Sequence, residues 1–191
     1  TPAAEGAAQG QLAGYGSKAY RNYVLFALTF IYILNFVDRA LLAVVGPDLV
    51  PDLGITDTQF GLLTGFGFAL LYTAVGIPLA RFADVANRVW IMTVCVALWS
   101  LMTALCGLAT EVTIGSVTIG AFWILLMCRV GVGIGEAGCT PPANSLIADY
   151  FIPRERSQAL GFYAMGVTLG TMVANLVGGW VTDVFDWRTA F

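Results

Sequence analysis

The sequence is poor in charge and has no histidine: of 191 residues, only 11% are Asp, Glu, Lys or Arg. A soluble domain carries roughly a quarter charged residues, so a globular chain of this size could not coat its surface with so few. The shortage excludes a soluble domain and a disordered chain, and it excludes a nucleic-acid binder, which needs a basic surface. Without imidazole there is no Ser–His–Asp chemistry and no His metal site, so proton handling falls to carboxylates. No HExxH and no GxSxG occurs either, which argues against an intramembrane enzyme acting on lipid. No catalytic residue, metal or cofactor is therefore expected. The four cysteines (Cys95, Cys106, Cys128, Cys139) lack CxxC spacing and sit singly in apolar stretches, as small buried hydrophobes do. The first 19 residues are rich in Gly and Ala, lack the order of a signal peptide, and read as a mobile tail.

What the chain has in quantity is apolar sequence, 58% of its residues, with a mean hydropathy of +0.80. A spanning helix needs about 20 mostly apolar residues. Five segments qualify, at about 23–45, 59–82, 89–110, 120–150 and 157–185. Turn chemistry separates them: Gly46-Pro47-Asp48 through Pro51-Asp52, Asp84 to Arg88, the Thr/Gly stretch from Glu111 to Gly120, and Ile152-Pro153-Arg154. The expected fold is an all-α membrane protein, with residues 20–191 forming a bundle of five transmembrane helices.

Charge orients the bundle. With the N-terminus in the cytoplasm, the inner side holds Lys18, Arg21, Arg81, Arg88, Arg154 and Arg156. The outer loops hold Asp48, Asp52, Asp57, Glu111, Asp183 and Asp186, with Arg188 the one cation. This asymmetry follows the positive-inside rule. Short loops suggest a bacterial inner membrane.

Four charges then lie inside spans: Asp38 and Arg39 in the first, Arg129 and Glu136 in the fourth. Each costs about 2.5–3.5 kcal/mol at mid-membrane even on a mild scale, so each needs a partner or a wet cavity. Asp38 and Arg39 are adjacent and point about 100° apart, whereas Arg129 and Glu136 share one face about 10 Å apart. One cation and one anion on each of two helices suggest a cross-linked cluster. It could be a structural ion pair locking two helices, or a proton site on a translocation path. Burial favours a protonated carboxyl and a nearby Arg an ionised one, so a moving Arg could load or release a proton.

Between Arg129 and Glu136 runs a glycine-rich stretch. Gly133 to Gly138 fits GxGxxG, but no strand precedes it and it lies within a span, so it is not a dinucleotide fingerprint. Gly131 with Gly135, and Gly166 with Gly170, instead form GxxxG faces for close helix packing. Pro141-Pro142 predicts a kink or local unwinding.

These residues carry a resemblance. Asn35-Phe-Val-Asp38-Arg39, Phe60-Gly-Leu-Leu, Ala80-Arg-Phe-Ala-Asp84-Val-Ala-Asn87-Arg88 and Arg129-Val-Gly-Val-Gly-Ile-Gly-Glu136-Ala follow one another in order. Asp149-Tyr-Phe-Ile-Pro153-Arg-Glu155-Arg156-Ser and Asp186-Trp187-Arg188-Thr-Ala-Phe191 complete the series. In combination the chain resembles the N-terminal part of a major facilitator superfamily transporter of the Spinster-like branch. In the loop signature Ala80, Val85 and Asn87 replace the usual Gly, basic residue and Gly. In the fifth span Ala174-Asn175 stands where the antiporter motif has Gly-Pro.

The resemblance implies a major facilitator-like bundle whose N-terminal half is incomplete here, to be followed by a sixth span and a C-terminal bundle, with substrate between the halves. It implies a secondary active transporter working by alternating access as a monomer of the complete chain, in contact with the bilayer, a small-molecule or lipid substrate and protons, but not nucleic acid. Asp38 and Glu136 would take the protons, with Arg39 and Arg129 as switchable counter-ions. Asp84 with Arg88, helped by Glu155 and Arg156, would latch the inner face. A lysolipid or sphingolipid-like amphiphile would suit a cavity lined by Phe66, Phe68, Tyr72 and Trp99, aromatics that equally suit packing or an interfacial belt. Organic anions, sugar acids and drugs are the alternative substrates, and a non-transporting scaffold the alternative role.

Overall fold

The computed structural model describes the backbone of residues 16–85, 87–114 and 117–191, and their side chains except at 66–68, 71, 79, 80, 82–85, 114 and 117. The expected tail lies largely outside the described residues. Helix α1 spans Lys18–Leu53, α2 Asp57–Thr64, α3 Phe66–Val85 and α4 Arg88–Gly107. Two three-residue strands, Val112–Ile114 and Val117–Ile119, form an antiparallel hairpin with Val112 opposite Ile119. Helices α5 (Ala121–Ala137), α6 (Thr140–Tyr150) and α7 (Pro153–Val173) follow. A π-helical stretch, Ala174–Gly178, leads into α8 (Gly179–Val184) and a terminal 3-10 turn, Trp187–Ala190. Among the described residues, Lys18–Leu53, Arg88–Gly107, Ala121–Tyr150 and Pro153–Val184 are long and apolar enough to cross a membrane. Helices α2 and α3, broken at Gly65, occupy the place of the expected second span.

The first expected turn is helix. Residues 46–52 continue α1 through Pro47 and Pro51, and the chain turns only at Gly54, in the left-handed region at φ 61°. The apolar pattern explains this: Leu42, Val45 and Leu49 recur at helical spacing and are wholly buried, so packing holds the helix where proline removes two backbone donors. The Gly54 and Ile55 amides close the end on the Pro51 and Val50 carbonyls. At Pro141-Pro142 the expected break is present. Helix α5 ends at Ala137 and α6 restarts at Thr140 with proline in its first turn, where a missing N–H costs least.

Glycine sets the tightest contacts. At Gly135 of α5 a Cβ would lie 2.6 Å from the Cys95 carbonyl oxygen and 2.7 Å from Trp99 Cβ. Trp99 is therefore a buried packing residue between α4 and α5. At Gly170 of α7 a Cβ would lie 2.5 Å from the Ile33 carbonyl oxygen and 2.7 Å from Phe36 Cβ. Gly131 and Gly166 extend the two faces against Met102 and Tyr32. Gly170→Leu is expected to lower stability by about 1–3 kcal/mol through overpacking, read as a drop in the melting midpoint of the purified protein. Gly161→Ala, where a Cβ meets nothing within 4 Å, is expected to leave the midpoint unchanged or slightly raised.

The π-helical stretch coincides with Ala174-Asn175. Where proline would break the helix, the chain instead widens by one residue. The Asn175 Nδ2 donates to the Thr171 carbonyl at 2.7 Å. All four cysteines are free and buried.

Candidate functional site

The intramembrane charges meet between α1 and α5 in two crossed pairs. Arg129 Nη1 donates to Asp38 Oδ2 at 2.9 Å, with both side chains 4% exposed. Arg39 Nε donates to Glu136 Oε2 at 2.6 Å, and the Glu136 side chain is wholly buried. Neighbours in sequence thus bind on different turns of the facing helix. The 100° between Asp38 and Arg39 and the two turns between Arg129 and Glu136 fit each other.

Further groups complete the site. Thr103 of α4 donates its hydroxyl to Asp38 Oδ1 at 2.8 Å, so both oxygens of that carboxylate are engaged. The Arg39 guanidinium lies 4.5 Å from the Tyr72 ring centroid and 5.4 Å from that of Phe36, a cation–π stack on both. Tyr72 joins the site; the side chains of Phe66 and Phe68 lie outside the described residues. Glu136 Oε1 and both amide atoms of Asn35 are buried with no hydrogen-bond partner. Among the described residues no group of His, Cys, Asp and Glu could hold a metal ion.

At the inner face the structure shows partners for Arg88, Glu155 and Arg156. Arg88 pairs with Asp149, both partly exposed. Glu155 pairs with Arg21 of α1, at 3.0 Å, because the first turn of α7 packs beside α1. Arg156 donates to the Ala148 carbonyl at 2.6 Å. The Asp84 side chain lies outside the described residues. The structure thus ties α4 to α6 and α1 to α7 at this end, with Asp149 and Arg21 as partners that the loop signature does not reveal. On the other side, Arg188 is held by Asp52 at 2.6 Å and lies over Trp187.

The chain matches the Major Facilitator Superfamily over residues 28–191. It is 36% identical over 164 residues to an MFS-type efflux pump of Mycolicibacterium smegmatis, covering 86% of this chain and 36% of that protein. It is 32% identical over 170 residues to Protein spinster homolog 1 of Homo sapiens, covering 87% of this chain and 30% of that one. The crystal structure of a bacterial homolog to the human lysosomal transporter Spinster, in its inward-facing and occupied conformation, superposes with a TM-score of 0.80. Identity there is 51%, over 88% of this chain and 34% of that one. The chain spans about a third of the length of these relatives. It is an integral membrane protein and belongs to the major facilitator superfamily, in its Spinster-like branch.

Proposed function

We propose that this chain is the N-terminal portion of a proton-coupled secondary transporter working by alternating access. The observation that supports it is the pair of crossed ion bridges, Asp38–Arg129 and Arg39–Glu136, buried within the span region. Such charges are retained in a membrane where they have work to do. A carboxylate beside a guanidinium stays ionised, and the same carboxylate left alone in an apolar site takes up a proton. Asp38 and Glu136 are the proton carriers in this reading, and Arg39 and Arg129 the cations whose approach expels the proton. Arg88–Asp149 and Arg21–Glu155 hold one state at the inner face of a bacterial cell membrane, with the N-terminus in the cytoplasm and the complete chain acting as a monomer.

The substrate we propose is a small amphiphile such as a lysolipid or sphingolipid-like molecule, supported by the Spinster-like relatives and by Tyr72 beside Arg39. A second reading, a sugar acid, is supported by 26% identity over 174 residues to a probable L-galactonate transporter of Escherichia coli. The full-length protein reconstituted in liposomes tests the mechanism. A pH gradient is expected to drive lysolipid flux in the wild type, and Glu136→Gln is expected to keep binding while losing the dependence on that gradient. Flux that ignores the gradient in the wild type, or an unchanged gradient dependence in Glu136→Gln, would overturn proton coupling through this residue.

A further inference from the structure

Asn35 is 3% exposed, and neither Oδ1 nor Nδ2 has a hydrogen-bond partner. It stands one helical turn before Arg39 and three residues before Asp38, so it lies on the face of α1 that carries both. Glu136 Oε2 is bound to Arg39, while Oε1 is buried and unbonded. A buried polar group left unpaired carries its full desolvation penalty. Asn35 offers two N–H donors and one acceptor. One such group stands a helical turn from Arg39 and the other is on the carboxylate that Arg39 binds, and together they mark a place made for something that hydrogen-bonds.

The charges define what fits. Asp38, Arg39, Arg129 and Glu136 sum to zero net charge. Each of these charges is already matched by an opposite one, so a further ion would enter without a counter-charge of its own, and the group that enters is neutral. It must accept from the Asn35 amide and donate to Glu136 Oε1. A hydroxyl does both with a single oxygen. We infer that Asn35 and Glu136 Oε1 together form a hydroxyl-recognition subsite, and that the substrate carries a free hydroxyl next to its polar head. The inference rests on the transporter reading above and narrows it. A lysolipid has such a hydroxyl where a diacyl lipid has an ester, and a sugar acid has several. Asn35 is a specificity residue in this arrangement, and Arg39 positions the carboxylate with which it works.

Equilibrium binding to the full-length protein in detergent tests this with two matched pairs. One is lysophosphatidylcholine against its 2-deoxy analogue, and the other is L-galactonate against a deoxy analogue. The hydroxylated member of one pair is expected to bind about 10- to 100-fold more tightly to the wild type, the range for a hydrogen bond to a charged group. The preference is expected to collapse in Asn35→Leu, which is similar in size, removes two orphaned polar atoms and should melt no lower than wild type. Equal affinities within both pairs, no binding of any of the four, or a preference surviving Asn35→Leu would each overturn the inference; equal affinities are also what a bound water in that place gives. The failures separate from those of proton coupling. If Glu136→Gln stays fully gradient-dependent while Asn35→Leu loses the hydroxyl preference, the coupling reading falls and the subsite stands. If Glu136→Gln loses gradient dependence while the wild type binds both analogues equally, the reverse holds.

Discussion

Arg129→Ala is expected to abolish transport and to destabilise the bundle by about 3–5 kcal/mol, the cost of leaving a buried charge without its partner. Asp38 has Thr103 as its other hydrogen bond, and a hydroxyl cannot neutralise a carboxylate. Adding Asp38→Asn is expected to recover much of the stability and none of the transport, because the orphaned charge is gone while the proton carrier is gone too. Arg88→Ala is the contrast. Its pair with Asp149 is about a third exposed on one side and half exposed on the other, and exposed pairs contribute about 0–1 kcal/mol. Melting midpoints of the four proteins, with flux in liposomes, check the ordering; equal and mild effects of Arg129→Ala and Arg88→Ala would contradict a buried network.

Arg39→Ala is expected to be as severe for gradient-driven flux and to leave a different signature. Glu136 then lacks its direct cation, and a carboxyl left alone in an apolar site takes up a proton. Flux driven by a pH gradient should stop, while exchange of substrate across the membrane without a gradient persists. Arg39→Lys should rescue poorly, since an ammonium can reach the carboxylate but lacks the flat guanidinium that stacks on Tyr72 and Phe36. Arg39→Ala combined with Glu136→Gln should melt near wild type and still lack coupling. Gradient-driven flux that survives Arg39→Ala would remove Arg39 from the switch.

The four central charges are legible in the sequence because a membrane makes each one conspicuous. Charge sign then fixes the partners, since an α1 carboxylate can pair on α5 only with Arg129 and an α1 guanidinium only with Glu136; that the two helices pack with these groups in reach is what the sequence does not reveal. Thr103 is invisible for another reason. Threonines in apolar helices commonly bond back to the carbonyl four residues earlier, as Thr29, Thr73, Thr93 and Thr171 do here. Nothing in its neighbours marks Thr103 as the one that reaches across to Asp38. Asn35 sits inside the Asp-Arg element and draws notice only once its amide proves to be buried without a partner. The glycine faces could be read directly from their four-residue spacing. The course of α1 through Pro47 and Pro51 could not, because burial of Val45 and Leu49 overrides a turn signal that is local.

The two glycine faces have a consequence for how stiffness is distributed. Helices α1 and α7 lie backbone to backbone along Gly166 and Gly170, and α4 and α5 do so along Gly131 and Gly135. Each couple is packed too closely there to admit a larger side chain. Where α1 meets α5 the backbones approach only sparingly, and Asp38–Arg129 and Arg39–Glu136 cross the seam beside a buried apolar cluster that includes Leu42 and Val45 of α1 and Leu125 and Cys128 of α5. The bundle is two tiles with an electrical clasp at their joint, so in the proton-coupled reading proposed above a change of one proton would act at that joint and not inside either tile.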